Sequence, residues 1–285
     1  PPRSTLFPYT TLFRSIKLDL LFNANCYGGR ALSLSLANEV RSVIAHIADV
    51  AGMPDAVTTT SLAVAYVVHN DFPDIDVRAS VNMRIGSPEA MRHLAGLFDS
   101  FYLQRDYQRN LDYARKVRNW SQGRGLKIGM LANSGCLRFC PGQTFHDNTV
   151  AHDAEIDEMK NIPDWTPHVC WNRYADRTNW PAFLQSTWVR PEDLSAYTDV
   201  FDFIKLATRM HTHPRMVIHA YASGEFTGNL MDLMEPGFSH GFAPHIIDNT
   251  RFPEEWLRRT STCNGECLDC GYCDQVFERV CIKVD

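Results

Sequence analysis

No apolar run in the 285-residue chain approaches the roughly 18–20 residues that a membrane span needs, so no spanning helix is expected. The opening residues lack a basic stretch followed by an apolar core, so they do not form a secretory signal. A glycine-rich phosphate loop is missing, as are a G-x-S-x-G nucleophile elbow and an H-E-x-x-H helix. These absences remove the simplest arguments for nucleotide use, serine hydrolysis and zinc proteolysis. Positive charge is in short supply, with 28 Lys and Arg against 33 Asp and Glu. Phosphate affinity comes largely from Lys and Arg, so the chain is a poor generic binder of nucleic acid, although a local basic groove stays open. There are no low-complexity tracts and no repeats beyond an alternation of strand and helix.

Hydrophobic content of 45% and charged content of 21% are those of a soluble globular protein with a sizeable core. The first fifteen residues, "PPRSTLFPYTTLFRS", resemble translated sequencing adapter and are set aside as an artefact. Without Arg3 and Arg14 the balance is 26 basic against 33 acidic residues, a net charge of −7. If the segment is an artefact, natural sequence upstream is missing.

From residue 16 the chain alternates short apolar runs with helical patterns. "IKLDLLF", "DAVTTT", "DIDVRASVNMRI", "DSFYLQ", "LKIGMLAN", "PAFLQSTW" and "VFDFIKLAT" read as strands. Helices follow, with Ser61 and Ser87 as N-caps and Pro88 in a first turn. Seven βα units imply a parallel sheet and fit a TIM-like (β/α) barrel over residues 16–248, lacking its first unit through truncation. An open doubly wound sheet is the alternative. Polar residues gather where strands end, among them Asn82, Arg84, Arg105, Asn133, Lys205 and Arg209. Barrel active sites lie at those ends. Residues 249–285 lose the βα rhythm and form a Cys-rich tail organised by its thiols.

Nine cysteines without a secretory signal point to a reducing compartment, the cytoplasm, where clustered thiols bind metal rather than pair. In "GCLRFCPGQTFHD", Cys136 and Cys140 would face the same way on a helical turn, and Pro141 would stop it. Thiolates select zinc or iron–sulfur clusters, and four suit a [4Fe–4S] cluster. Cys170 lies in an irregular segment and Cys26 at a strand end, so the four could share the barrel mouth. Cys26 and Cys170 could equally be small buried hydrophobes. His146 and His152 could be ligands, substrate donors or surface residues. In the tail, Cys263, Cys267, Cys270 and Cys273 are spaced C-x3-C-x2-C-x2-C, which suits a second cluster, with a closed four-thiolate zinc site as the alternative. Its first three cysteines have the spacing of radical enzymes that cleave S-adenosylmethionine, but those place it after an early barrel strand. Cys281 is left as a spare thiol.

"LANSGCLRFCPGQTFHD" and "FDFIKLATRMHTHPRMVIHAY" resemble motifs of the U32 proteins, long described as collagenase-like peptidases, and "SVNMRI" sits in the expected order. The resemblance spans about Ile16 to Met234 and departs at "KLATR" and in the tail. It implies a barrel with a [4Fe–4S] cluster and, by analogy with several members, oxygen-independent hydroxylation of RNA bases or ubiquinone precursors with prephenate as donor. It also implies Cys136 and Cys140 as ligands, Lys205 and Arg209 as mouth cations, and a protein partner of the same family. Arg84, Lys205 and Arg209 could anchor a small carboxylate donor, with His146 beside them. Two other readings stand: a peptidase, for which the sequence shows no nucleophile–base pair, and a non-catalytic electron-transfer or assembly subunit.

Overall fold

Strand β1 (Asp19–Phe22) is followed by β2 (Ala56–Thr59), β3 (Asp76–Ala79), β4 (Ser100–Tyr102), β5 (Lys127–Leu131) and β6 (Phe203–Lys205). In the computed structural model, which describes residues 17–156 and 162–284, each strand pairs in parallel with its sequence neighbour. The result is a six-stranded curled sheet, half of a barrel. The adapter-like segment lies outside the described residues. No helix among them is long and apolar enough to cross a membrane.

Local chemistry sets the longer helices. Helix α1 (Leu34–Ala51) opens where Ser33 Oγ accepts from the Leu36 N–H at 3.1 Å, and α2 (Leu62–Asp71) where Ser61 accepts from Val64. Helix α3 (Pro88–Leu94) has Ser87 as cap and Pro88 in its first turn. Asn110 caps α4 (Leu111–Gln122). Each side-chain oxygen satisfies an amide that has no partner inside the helix. Helices α5 (Gln143–Ala151), α6 (Pro214–Ser223) and α7 (Tyr272–Val280) complete the cover.

Alternation along the strands divides the sheet into two unlike faces. Val57, Val77, Phe101, Ile128 and Met130 join Val40, Val64 and Val117 from the helices in the main core. On the concave face Asp19 accepts from Thr58 Oγ1 at 2.9 Å and pairs with Arg78 at 3.2 Å. Asp76 binds Arg78 and Ser100 in turn. A small apolar group of Val81, Tyr102 and Leu131 lies above this polar lattice.

The sixth of the seven expected strands does not form. "PAFLQSTW" enters as a 3-10 helix (Arg177–Phe183) and continues as a turn, with Leu184 N–H donating to Pro181 and Ser186 N–H to Phe183. Pro181 has no N–H for a ladder, and the Thr187 carbonyl is taken by Gln108 Nε2 at 3.0 Å. The helix expected after it is likewise a 3-10 stretch (Pro191–Tyr197).

Further on, β7 (His245–Ile247) and β8 (Cys281–Lys283) make a separate antiparallel pair, so Cys281 sits in a strand. Trp256, Val276 and Val280 of the C-terminal segment enter the main core. Trp256 stacks on Trp188 with ring centroids 5.8 Å apart and on Tyr272 at 6.1 Å.

Candidate functional site

The chain leaves β5 through residues that fix its path. Asn133 is buried; its Nδ2 donates to Ala207 and Leu233 carbonyls at 2.7 and 2.9 Å, and its Oδ1 accepts from the Ala207 N–H. This strand-end asparagine is a clamp on three backbone groups. At Gly135 a Cβ would collide with the Pro236 carbonyl, so only glycine lets the two segments approach. The expected helical turn at 136–140 is an irregular loop. Asp106 takes the Phe139 N–H at 2.5 Å and its carbonyl takes Arg138 Nε at 3.0 Å, while Phe139 adopts a left-handed φ of 53°.

This loop brings Cys136 and Cys140 toward Cys170, on the short helix Val169–Tyr174. A Cβ on Gly142 would lie 2.6 Å from Val169 Cγ2, a measure of how closely the start of α5 meets that helix. Burial pushes the Cys170 thiol up to about 11, and repulsion from Cys136 and Cys140 adds to it. Burial also raises Cys140. The three thiols lie within electrostatic reach of one another.

Cys26 stands apart from them. A hydrogen bond with His152 lowers its pKa, and its sulfur accepts from the Gly28 N–H at 3.3 Å. The same bond raises His152, whose Nδ1 lies 3.1 Å from Glu155 Oε2. Asn25 ties this corner to α5 through Asn148 at 2.6 Å.

Around the thiol group, Arg84 donates to Thr144 Oγ1 at 2.5 Å and Arg105 to Ser134 Oγ at 3.0 Å. Burial works against the Arg105 charge, but attraction and a hydrogen bond to Cys136 together with the charges of Asp147 and Asp106 outweigh it. Burial raises Asp147 against the pull of Arg105. Burial lowers His146, with His168 repulsion adding; the two rings are 4.7 Å apart. Lys205 and Arg209 form a second cationic group. Burial lowers Lys205, opposed by Asp19, and its Nζ sits 5.5 Å from the Tyr102 ring centroid. Glu235 lies beside this group and also bridges Ser134, so the two groups meet at the β5 exit.

Of the residues singled out in sequence, Arg84, His146, Cys136, Cys140 and Cys170 are thus brought together, and Lys205 and Arg209 neighbour them. Asp106, Glu155 and His168 were not singled out. The polar run "QRDYQR" directly after buried β4 carried a signal for Asp106, because burying charge demands partners.

The tail thiols form another group. Cys263, Cys267, Cys270 and Cys273 line a cavity of ≈ 410 Å³ with Arg109 and Arg138. Arg138 Nη1 reaches Cys263 Sγ at 3.6 Å. Among the described residues no three His, Cys, Asp or Glu side chains converge as they would on one metal ion. A zinc ion with thiolates at about 2.3 Å would draw its sulfurs to roughly 4 Å from each other. A [4Fe–4S] cluster takes one thiolate on each of four irons and holds its sulfurs further apart, and the all-thiol donor sets have the chemistry of either group.

The chain is thus a half-barrel α/β protein with a thiol-bearing, cationic rim at its strand ends. No family model matches it. It is 22% identical over 268 residues to "Uncharacterized protease MJ1657" of Methanocaldococcus jannaschii, covering 93% of this chain and 77% of that protein. Among solved structures it is similar to the U32 peptidase Mk0906, with a TM-score of 0.49 and 20% identity over 70% of this chain and 72% of that one. The printed name of the relative, a protease, agrees with the motif resemblance read from the sequence.

Proposed function

We propose that the chain is a U32-type iron–sulfur enzyme for oxygen-independent hydroxylation of a small aromatic, quinone-like or nucleobase substrate. The observation that carries this reading is the gathering of Cys136, Cys140 and Cys170 beside Arg84, Arg105, His146 and Asp147 at the sheet rim. These three thiols would hold a [4Fe–4S] cluster. Bound by three thiolates, such a cluster supplies an iron with a position open to an oxygen-bearing ligand. The exposed Arg84 guanidinium would take a carboxylate donor in two-point contact. Lys205 and Arg209 would hold a second anionic group. His146, kept neutral by burial, would accept a proton at a ring nitrogen. The acidic surface favours a small substrate over a long nucleic acid.

Anaerobic purification tests the reading. The expected product is brown protein with iron and sulfide in equal amount, and part of both is lost in Cys136→Ser/Cys140→Ser. Full retention of iron and sulfide in that variant overturns the rim cluster.

A second reading, a thiol peptidase, is favoured by the Cys26–His152–Glu155 arrangement, a nucleophile, base and orienting carboxylate in sequence, and by the name of the relative. Gelatin cleavage by iron-free protein, abolished in Cys26→Ala and retained in Cys136→Ser/Cys140→Ser, would establish it in place of the first.

A further inference from the structure

We infer that the four tail thiols bind a second [4Fe–4S] cluster, adjacent to the rim group and joined to it by the Arg138 loop. Spacing is the first observation. Cys263, Cys267, Cys270 and Cys273 are separated by three, two and two residues, which puts four thiols within eleven residues. The second is the shape of the site. All four line one cavity of ≈ 410 Å³, space for roughly a dozen waters at ~30 Å³ each.

The third observation points to the charge of the occupant. Arg109 lines the same cavity and is only 8% exposed. Its Nη1 donates to the Leu184 carbonyl at 3.0 Å and to Ser186, and the guanidinium lies 5.4 and 5.2 Å from the Trp188 and Trp256 rings. It forms no ion pair among the described residues, and neither does Arg138. An arginine cannot shed its proton, so burying one with little opposing charge is costly. The cavity is lined by four arginines, Arg109, Arg138, Arg258 and Arg259, against two carboxylates, Glu266 and Asp274, and neutral thiols do not close that gap. A cluster carried on four thiolates is a net anion, and it places that charge where Arg109 and Arg138 face it.

Arg138 fixes where this site lies. Its backbone stands between Cys136 and Cys140, and its side chain ends on Cys263 Sγ at 3.6 Å. The tail site therefore lies one arginine side chain from the rim thiols. Two paramagnetic centres so placed would interact.

The adjacency rests on the rim reading above; the tail site itself does not. The test is an anaerobic iron and sulfide count on the full chain reconstituted with ferrous iron and sulfide, with electron paramagnetic resonance after dithionite. About eight irons are expected in the wild type and about four in each of Cys267→Ser/Cys270→Ser and Cys136→Ser/Cys140→Ser. The reduced wild type should show a broadened, interacting signal, and each double variant a simple one. About four irons in the wild type, lost with the tail pair and kept without the rim pair, would leave the tail site standing and remove the rim cluster. Unchanged iron in the tail variant, or one zinc per chain lost with it, overturns the inference. Cys270→Ala, at an exposed position, repeats the count should the double variant misfold.

Discussion

The rim thiols and the tail thiols are neighbours held by opposite means. At the rim, polar side chains grip backbone: Asn133 binds three peptide groups, and buried Gln108 takes the Leu131 N–H and carbonyl together with the Thr187 carbonyl. At the tail, a column of rings does the work, with Trp188, Trp256 and Tyr272 stacked and Arg109 set against the first two. Hydrogen-bond clamps are directional and fix a loop to a few tenths of an ångström. Ring stacks bury area and tolerate small shifts. The rim is thus held in a defined geometry, and the tail is held by adhesion.

Two substitutions bear on that contrast. Trp256→Ala removes a side chain 2% exposed from the centre of the column, and about 3–5 kcal/mol of stability should go with it. Urea unfolding followed by fluorescence measures this; a loss under about 1 kcal/mol would show that the column is not the anchor. Asn133→Ala strips partners from three buried backbone groups and should cost on the order of 2–4 kcal/mol. Its distinguishing mark is local. Hydrogen exchange should speed at Ala207 and near Gly135, whereas Trp256→Ala should speed it across the C-terminal segment. The reverse pattern would dissolve the contrast.

How much of this could be read from sequence depends on how local each cause is. Ser61, Ser87 and Pro88 announce helix starts because cap and amide lie three residues apart. Six of the strands show as short apolar runs for the same reason. "PAFLQSTW" looked equally strand-like, but its fate rests on Pro181 and on Gln108, more than seventy residues before it. Asn133 resembled a site residue because polar residues at strand ends so often are; only the fold shows that Ala207 and Leu233 consume its amide. Cysteine spacing revealed that thiols cluster. It could not reveal that Cys26 meets His152, a pairing created by the packing of α5 against the β1 exit.

A smaller effect separates the two regions by pH. Burial pushes Asp193 up to about 6, with Arg190 and then Glu192 the neighbouring charges, and Arg109 of the tail cavity a weaker influence. An acid raised in the folded state binds its proton more tightly there than in the unfolded chain. Its contribution to stability is complete below about pH 4 and is lost as pH rises through about 6. Asp193→Asn should flatten that part of the urea-midpoint profile. A profile unchanged by the substitution would mean that Asp193 is solvated.

The smallest effect concerns the thiols outside both groups, and it changes rate rather than stability. Cys26 is lowered by its bond to His152, while burial raises Cys281, with Arg177 only partly opposing. Thiolate is the reactive form, so near neutral pH iodoacetamide should label Cys26 several-fold faster than Cys281. His152→Ala should slow labelling at Cys26 and leave Cys281 unchanged, as mass spectrometry of digests would show. Equal rates at the two cysteines would mean that the Cys26–His152 bond does not persist in solution. The peptidase reading, which rests on that bond, would then fall while the cluster reading stayed intact.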